Sequence, residues 1–274
     1  MKTSGSETLS VSANIFVGQT EAPLLVRPFI KNMTQSELMT VMTGGFATVA
    51  GGVLALYVTW LGDIPGIAGH LLAASVMSAP AALAIAKIIY PETELSETAG
   101  EINIKVKKVD ANSMDALGRG ATEGLKLAAN VGAMLIAFVS IVSMINYLLA
   151  IGGTSLEEIF AFVFKPLAWT MGVPWKEAGI MGMLMGEKIA FTELIAYGDL
   201  KDLLASGQIS DRTAIIASYA LCGFANFGSI GIQLGGIGGM APERRKDLAK
   251  IVGKAMIGGA LASWLTATIA GMLI

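Results

Sequence analysis

Residues 219–239 read Tyr-Ala-Leu-Cys-Gly-Phe-Ala-Asn-Phe-Gly-Ser-Ile-Gly-Ile-Gln-Leu-Gly-Gly-Ile-Gly-Gly, and this stretch decides the fold. It is apolar enough to enter a bilayer, yet its middle carries Asn226, Ser229 and Gln233 among many glycines. Glycine disfavours a continuous helix because it loses much conformational freedom on ordering. Small residues alone would also suit close packing between membrane helices. Together with the polar side chains, they favour a helix broken at membrane depth with a binding site at the break.

The composition of the whole chain is that of a membrane protein. It is 54% hydrophobic and only 15% charged, whereas a soluble domain carries about a quarter charged residues. Several apolar runs approach the ~20 residues that cross a hydrocarbon core. A net charge of −2 gives no indication of a nucleic-acid partner, no basic aromatic patch appears, and none is expected. The single cysteine and single histidine exclude an internal disulfide and a His/Cys metal cluster.

The first part of the chain, residues 7–30, predicts a re-entrant hairpin, named hairpin one here. Two short apolar segments flank a turn at residues 17–20, and Glu21 follows the turn directly. An intramembrane carboxylate costs several kcal/mol unless it is paired or faces a cavity, so Glu21 is a candidate functional residue. The alternative is an amphipathic surface helix with Glu21 in water.

Two spans follow hairpin one. Residues 36–61 form an apolar span that glycines interrupt around Thr48. That hydroxyl either contributes to a site or bonds back to its own helix, as lone membrane threonines often do. Residues 64–89 form the second span, which ends before Pro91.

The middle of the chain links two similar halves. Residues 91–115 are a charged connection, and residues 115–126 predict a short amphipathic helix. Residues 127–151 predict a full spanning helix, because their apolar run is long and nearly uncharged. Residues 156–171 alternate apolar with charged or aromatic side chains, which is typical of an interfacial helix.

The last part of the chain repeats the first. Residues 176–200 are too polar for a lipid-facing span and predict a second re-entrant hairpin, named hairpin two. Glu187 and Lys188 either flank its tip or pair with other residues. A polar loop at residues 201–212 then leads into the glycine-rich segment, and residues 251–274 form the final span.

Short motifs mark the repeat. Thr20-Glu21 is followed by Gly45-Phe46-Ala47, and Thr192-Glu193 is followed by Gly223-Phe224-Ala225. If each Gly-Phe-Ala opens an interrupted span, the unit of hairpin, broken helix and helix occurs twice. The predicted domains are therefore a first repeat at 1–90, a connection with a scaffold helix and interfacial helix at 91–173, and a second repeat at 174–274.

Charge bias orients the two repeats. Basic residues follow hairpin one, the first repeat and the second broken helix; they include Arg27, Lys31, Lys105, Lys107, Lys108, Arg119, Arg244, Arg245 and Lys246. Placing them on the inside puts hairpin one inside and hairpin two outside. The expected fold is all-α: a polytopic membrane protein with inverted repeats, two re-entrant hairpins and two discontinuous transmembrane helices. Such paired elements point to a secondary transporter with its site near the midplane.

The motifs also carry a resemblance. Residues 14–24, 44–51 and 219–236 resemble the concentrative nucleoside transporters, and the similarity covers essentially the whole chain. The resemblance implies a homotrimeric, multi-pass symporter in the inner or plasma membrane. It would take up nucleosides with Na⁺, or H⁺ in some members, by moving a transport domain past a trimeric scaffold like an elevator. It implies neither an enzyme nor an organic cofactor.

Site residues follow from the same resemblance. Those implied for substrate binding are Gln19, Thr20 and Glu21 for the nucleobase, Glu193, Asn226 and Ser229 for the ribose hydroxyls, and Val53 and Phe224 for packing. Those implied for Na⁺ are Asn14, Thr48 and the carbonyls of Val17 and Val49. The chemistry fits, since a carboxylate accepts from vicinal hydroxyls and amides both donate and accept.

The sequence also departs from the family pattern. Thr192 replaces a usual asparagine before Glu193, Thr48 stands where serine is common, and Gly228 replaces a frequent serine. These changes bear on base preference and on Na⁺ selectivity. Family members have three further spans and an amphipathic helix before hairpin one. The sequence-based expectation is therefore a fragment, a truncated gene product or a misassigned start, which would not assemble a functional trimer unaided.

Other function classes remain as alternatives. A non-transporting fragment of such a transporter is one, and a gated channel is another. An intramembrane hydrolase would need a nucleophile–base pair or a metal cluster, and His70 alone cannot supply either.

Overall fold

The structure, a computed structural model, describes residues 3–100 and 111–274. The part of the charged connection that carries Lys105, Lys107 and Lys108 lies outside these residues. The described residues form α-helices and a short 3-10 helix at Pro242–Arg244. The α-helices are α1 Gly5–Ala13, α2 Glu21–Leu25, α3 Arg27–Ile30, α4 Gln35–Ala47, α5 Gly51–Trp60, α6 Ile67–Ile89, α7 Ser113–Ile151, α8 Leu156–Thr170, α9 Ala178–Ala190, α10 Glu193–Ala205, α11 Asp211–Leu221, α12 Phe227–Met240 and α13 Arg245–Leu273.

Both predicted hairpins are present. Hairpin one consists of α1, a turn over residues 14–20, and the short helices α2 and α3. Pro28 stands in the first turn of α3, where its missing N–H costs little, so the chain restarts as a new helix there. Hairpin two consists of α9 and α10, which are joined directly at residues 191–192.

Both interrupted helices are present as well. Residues 48–50 separate α4 from α5, and residues 222–226 separate α11 from α12. The expectation that each Gly-Phe-Ala opens an interrupted span was wrong. Gly45-Phe46-Ala47 forms the last turn of α4, whereas residues 223–225 lie inside the second break. The second break contains more residues than the first because Asn226, the N-cap of α12, lies after the Gly-Phe-Ala motif, and the next helix begins only there.

The two breaks cross in direct backbone contact. The Phe224 N–H donates to the Thr48 carbonyl at 3.3 Å. A Cβ on Gly223 would lie 2.8 Å from the Phe46 carbonyl oxygen, so only glycine permits this approach. Behind the crossing, a Cβ on Gly259 of α13 would lie 2.3 Å from the Phe46 Cβ. Since α13 packs against α4, α6 and α11, the two repeats pack directly against each other.

Three predicted boundaries were wrong. Residues 115–126 and 127–151 form one continuous helix, α7, of 39 residues. The loop predicted at 201–212 begins later, because α10 continues to Ala205. The final helix begins earlier than predicted, at Arg245. In each case charged side chains change the surroundings of a helix without ending its backbone hydrogen bonding.

Three helical segments are long and apolar enough to cross a membrane among the residues described. They are Gln35–Trp60, Ile67–Ile89 and Pro242–Leu273. A fourth crossing is counted if Val139–Ile151 and Leu156–Thr170, which are bent by 90°, form one span. Asn146 braces this corner, since its side chain accepts from the Leu156 N–H and donates to Glu157. A helix turned by 90° at the end of a span fits the interfacial position predicted for α8.

Candidate functional site

A cavity of ≈ 620 Å³ lies where the tips of both hairpins meet the second break. Ala50 of the first break and one face of α7 complete its walls. This volume is within the usual range for small-molecule sites. The residues that line the cavity are Gly18, Gln19, Thr20, Glu21, Leu24, Ala50, Gly124, Ala128, Thr192, Glu193, Leu194, Phe224, Asn226, Ser229 and Ile232.

Glu193 is the buried one of the two carboxylates that line this cavity. It is the first residue of α10, and only 5% of it is exposed. The Tyr57 hydroxyl donates to its Oε1 at 3.2 Å, and the Asn226 amide donates to its Oε2 at 3.2 Å. The N-terminus of a helix also favours a negative charge at this position. The carboxylate is therefore held in place while one edge faces the cavity.

Asn226 is oriented by its role as the N-cap of α12. Its Oδ1 accepts from the Ser229 N–H at 2.7 Å, which satisfies one of the free N–H groups at the helix start. The amide group on the other side of the same side chain is then directed at Glu193. The break in the helix thus creates the polar site, as the glycine-rich sequence predicted.

Gln19 connects hairpin one to α12. Its Nε2 donates to Ser229 Oγ at 3.0 Å, and its Oε1 accepts from Gln233 Nε2 at 3.2 Å. Gln233 also donates to the Met42 carbonyl at 3.1 Å. Gly45 leaves room for both amides, because a Cβ there would lie 2.8 Å from Gln233 Nε2. These contacts fix the turn of hairpin one against the second repeat.

Glu21 lines the same cavity as Glu193. It is exposed, and its Oε2 accepts from the hydroxyl of buried Thr20 at 2.9 Å. Both hairpin carboxylates thus line one cavity.

Two apolar candidates occupy different places. Phe224 lines the cavity, as predicted for packing against a substrate. Val53 does not line it; this residue packs against the buried cluster that includes Tyr57 and Tyr197. The rings of Tyr57 and Tyr197 stack with centroids 3.8 Å apart and form a rigid wall behind Glu193.

The residues implied for a cation lie near the first break. Phe16 accepts at its carbonyl from the Gly51 N–H at 3.1 Å, which brings Asn14 and Val17 next to the break that contains Thr48 and Val49. Asn14 is 1% exposed, and its Oδ1 has no hydrogen-bond partner among the described residues. Thr48 bonds back to its own helix, since its hydroxyl donates to the Gly44 carbonyl at 3.2 Å. The lone pairs of that hydroxyl stay free to accept, so the donor set is oxygen and suits a hard alkali cation.

Sequence reasoning missed two supporting residues. Tyr57 lies in a plain apolar run, and nothing in that run indicates a contact with Glu193. Gln233 stood out as an amide in an apolar segment, but its partners lie in the other repeat and cannot be deduced from spacing.

Known proteins are similar to this chain in sequence and in fold. A family model described as Na⁺ dependent nucleoside transporter C-terminus matches residues 70–271. An uncharacterized transporter of Haemophilus influenzae is 47% identical over 99% of this chain and 67% of its own length. Sodium/nucleoside cotransporter 1 of Mus musculus is 44% identical over 100% of this chain and 45% of its own length. The chain therefore spans about two-thirds of the bacterial relative and under half of the mammalian one.

Solved structures agree with the sequence comparison. CNTnw in an inward-facing substrate-bound state is 46% identical, with a TM-score of 0.80 over 98% of this chain and 65% of that one. A substituted CNTnw in an outward-facing state is 45% identical, with a TM-score of 0.86 over 99% of this chain and 66% of that one. The sequence similarity, the all-helical fold and the membrane spans lead to one assignment: the chain is an integral membrane protein that belongs to the concentrative nucleoside transporter family.

Proposed function

We propose that this chain carries the substrate and cation sites of a cation-coupled nucleoside symporter. The observation that supports this most is the cavity in which the tips of two hairpins meet a broken helix around Glu193. Binding sites at such discontinuous elements are typical of secondary transporters. A hydrolase would need a nucleophile with a base, and the family consists of transporters.

Glu193 is the proposed acceptor for the ribose hydroxyls. Vicinal hydroxyls are paired donors, and a carboxylate with an edge on the cavity binds them through charge-assisted hydrogen bonds. Asn226 and Ser229, which border the same space, complete the ribose site. Their buried position makes each lost partner costly, which favours ribose over a sugar without those hydroxyls.

The nucleobase is proposed to lie against hairpin one. Gln19, Thr20 and Glu21 offer both donors and acceptors there, as the edge of a base requires. Phe224 supplies an apolar surface on which a base can pack. Val53 was predicted to share this role; any contribution from it would act through the buried cluster against which it packs.

The coupling ion is proposed to be Na⁺ or H⁺, with no organic cofactor. For Na⁺, the ligands would be Asn14, Thr48 and the carbonyls of Val17 and Val49. A cation there would tie hairpin one to the first break, immediately before Gln19 in the chain. Occupation of the ion site would then order the nucleobase site, which is the coupling that a symporter needs.

Transport is proposed to follow an elevator-type movement of one part of the chain past another within a homotrimer. The repeats at 1–90 and 174–274 would form the moving part, and 91–173 would contribute the scaffold and interfacial helices. In this arrangement hairpin one faces the inside and hairpin two the outside of the inner or plasma membrane. The exposed apolar side chains of α7 and α8 suit contact with lipid or with a neighbouring copy.

Binding of uridine and adenosine to the purified chain in detergent tests this proposal. Titration calorimetry in NaCl, and in choline chloride at equal ionic strength, should show nucleoside binding that needs Na⁺. A pH series in choline chloride distinguishes H⁺ coupling. Glu193→Gln should weaken binding by about a hundredfold, since a charged hydrogen-bond acceptor is lost in a buried site.

Exposed Glu243 supplies the matched control, because it lies away from the cavity lining. Glu243→Gln should bind like the unaltered chain. Equal binding by Glu193→Gln would remove the assigned role of Glu193. Binding that ignores both Na⁺ and pH would remove the symport claim.

A further inference from the structure

Lys188 in α9 is a completely buried lysine, with 0% of the residue exposed. Its Nζ donates to the Ala220 carbonyl at 2.9 Å and to Ser263 Oγ at 3.0 Å. Neither of these acceptors carries a formal charge. Burying an ammonium group is costly unless its surroundings compensate the charge, so the position of Lys188 requires a physical reason.

The end of a half-helix supplies that reason. Ala220 lies in the last turn of α11, which ends at Leu221. Carbonyls of a last turn lack partners inside their helix and carry the negative end of its dipole. Ser263 donates its own hydrogen to the Ala260 carbonyl at 3.0 Å, which leaves its lone pairs for Lys188. The ammonium therefore sits among oxygens at the second break.

The first break shows the same arrangement with a different group. There too a residue of the first hairpin helix, Asn14 at the end of α1, lies near the end of a half-helix, α4. The side chains on that side, Asn14 and Thr48, are neutral oxygen donors, and Asn14 Oδ1 has no partner among the described residues. The first break thus offers oxygen ligands to a free cation, whereas the second break already holds a cation that is part of the chain, the Lys188 ammonium.

We infer that Lys188 is an internal cation, which takes at the second break the place that the coupling ion takes at the first. This inference rests on the proposed function, since it uses the proposed ion site as its reference. Lys188 is therefore a positioning residue: it holds α9 of hairpin two against α11 and α13.

The test uses Lys188→Gln, which replaces the ammonium with a neutral group that has an amide oxygen. Thermal unfolding of the purified chain is measured in NaCl and in choline chloride at equal ionic strength. The variant should gain stability from Na⁺ through the vacated second site. To isolate that site, Asn14→Ala is added to remove the first one. Asn14→Ala alone should lose the Na⁺ stabilisation of the unaltered chain, whereas Asn14→Ala with Lys188→Gln should regain it.

Nucleoside binding gives a second readout. Lys188→Gln should bind uridine or adenosine about tenfold more weakly at low Na⁺ and recover at high Na⁺ with a steeper Na⁺ dependence than the unaltered chain. Lys201→Gln, at an exposed position of α10, is the control and should change neither quantity. If Lys188→Gln folds only in NaCl and not in choline chloride, that result supports the inference.

Two results would overturn it. One is a double variant whose unfolding temperature is the same in NaCl and choline chloride. The other is a Lys188→Gln chain that does not fold in either salt, because a free cation then cannot replace the ammonium. The unfolding measurements need no nucleoside, so they distinguish a failure of this inference from a failure of the proposed function.

Discussion

The two repeats have the same order of elements but differ at their hairpin tips. In hairpin one, α1 and α2 are separated by an extended turn over residues 14–20. In hairpin two, α9 and α10 meet at residues 191–192, and Glu193 begins α10. A long turn exposes backbone carbonyls and side-chain oxygens, whereas a tight tip places one carboxylate at a helix start. One architecture thus presents two kinds of polar group, which we propose serve ion binding in one half and sugar binding in the other.

The two breaks also differ in the charge of the side chain that lies beside them. Asn14 Oδ1, near the first break, has no hydrogen-bond partner within residues 3–100 and 111–274, and the Lys188 ammonium caps the half-helix at the second break. The halves are nevertheless interlocked, since the first break accepts a backbone hydrogen bond from Phe224 of the second. Each substitution below alters one contact between the first repeat and the rest of the chain.

The largest effect is expected from Gly259→Ala, which separates α13 from the first repeat. The new Cβ would lie 2.3 Å from the Phe46 Cβ and 2.8 Å from the Phe46 carbonyl carbon. Because backbone must move to relieve this overlap, we expect a loss of about 1–3 kcal/mol in the free energy of unfolding. Gly253→Ala in the same helix is the control, since nothing lies within 4 Å of its Cβ. Equal unfolding temperatures for both variants would show that the crossing tolerates displacement.

An intermediate effect is expected from Gly45→Ala, which disturbs the amides that join hairpin one to α12. The added Cβ would lie 2.8 Å from Gln233 Nε2 and 3.1 Å from Gln19 Cβ. These side chains can shift, so the chain should fold, but nucleoside affinity should fall about tenfold as the Gln19–Ser229 bond is lost. Calorimetry measures this change, and Gly52→Ala, with open space around its Cβ, is the control. Unchanged affinity would exclude Gln19 from a positioned nucleobase site.

The smallest effect is expected from Glu123→Gln, which weakens the contact between hairpin one and α7. Arg27 Nη1 lies 2.9 Å from Glu123 Oε2, and both side chains are about 40% exposed. Exposed ion pairs contribute less than about 1 kcal/mol. The unfolding temperature should therefore change little and nucleoside affinity not at all. A loss of affinity would mean that α7 orients the cavity through this pair.

Much of this architecture could be predicted from the sequence, for identifiable reasons. Polar residues within glycine-rich apolar runs located both breaks, and Glu21 and Glu193 located both hairpin tips. The continuous α7 was missed because the polar stretch before residue 127 changes the environment of the helix and not its hydrogen bonding. Tyr57 and Lys188 could not be assigned partners, since their contacts join segments far apart in the chain. Sequence periodicity shows which face of a helix is buried, but not which side chains of another helix contact that face.

The wall of the cavity that α7 forms bears on the size of the molecule that the cavity can hold. Where α7 borders the cavity it presents Gly124 and Ala128, one helical turn apart and nearly without side chains. On that side the cavity is therefore bounded by helix backbone and a single methyl group. Each methylene introduced there would reduce the volume of the cavity, so larger side chains at these two positions should exclude bulky purine nucleosides before the smaller pyrimidine nucleosides.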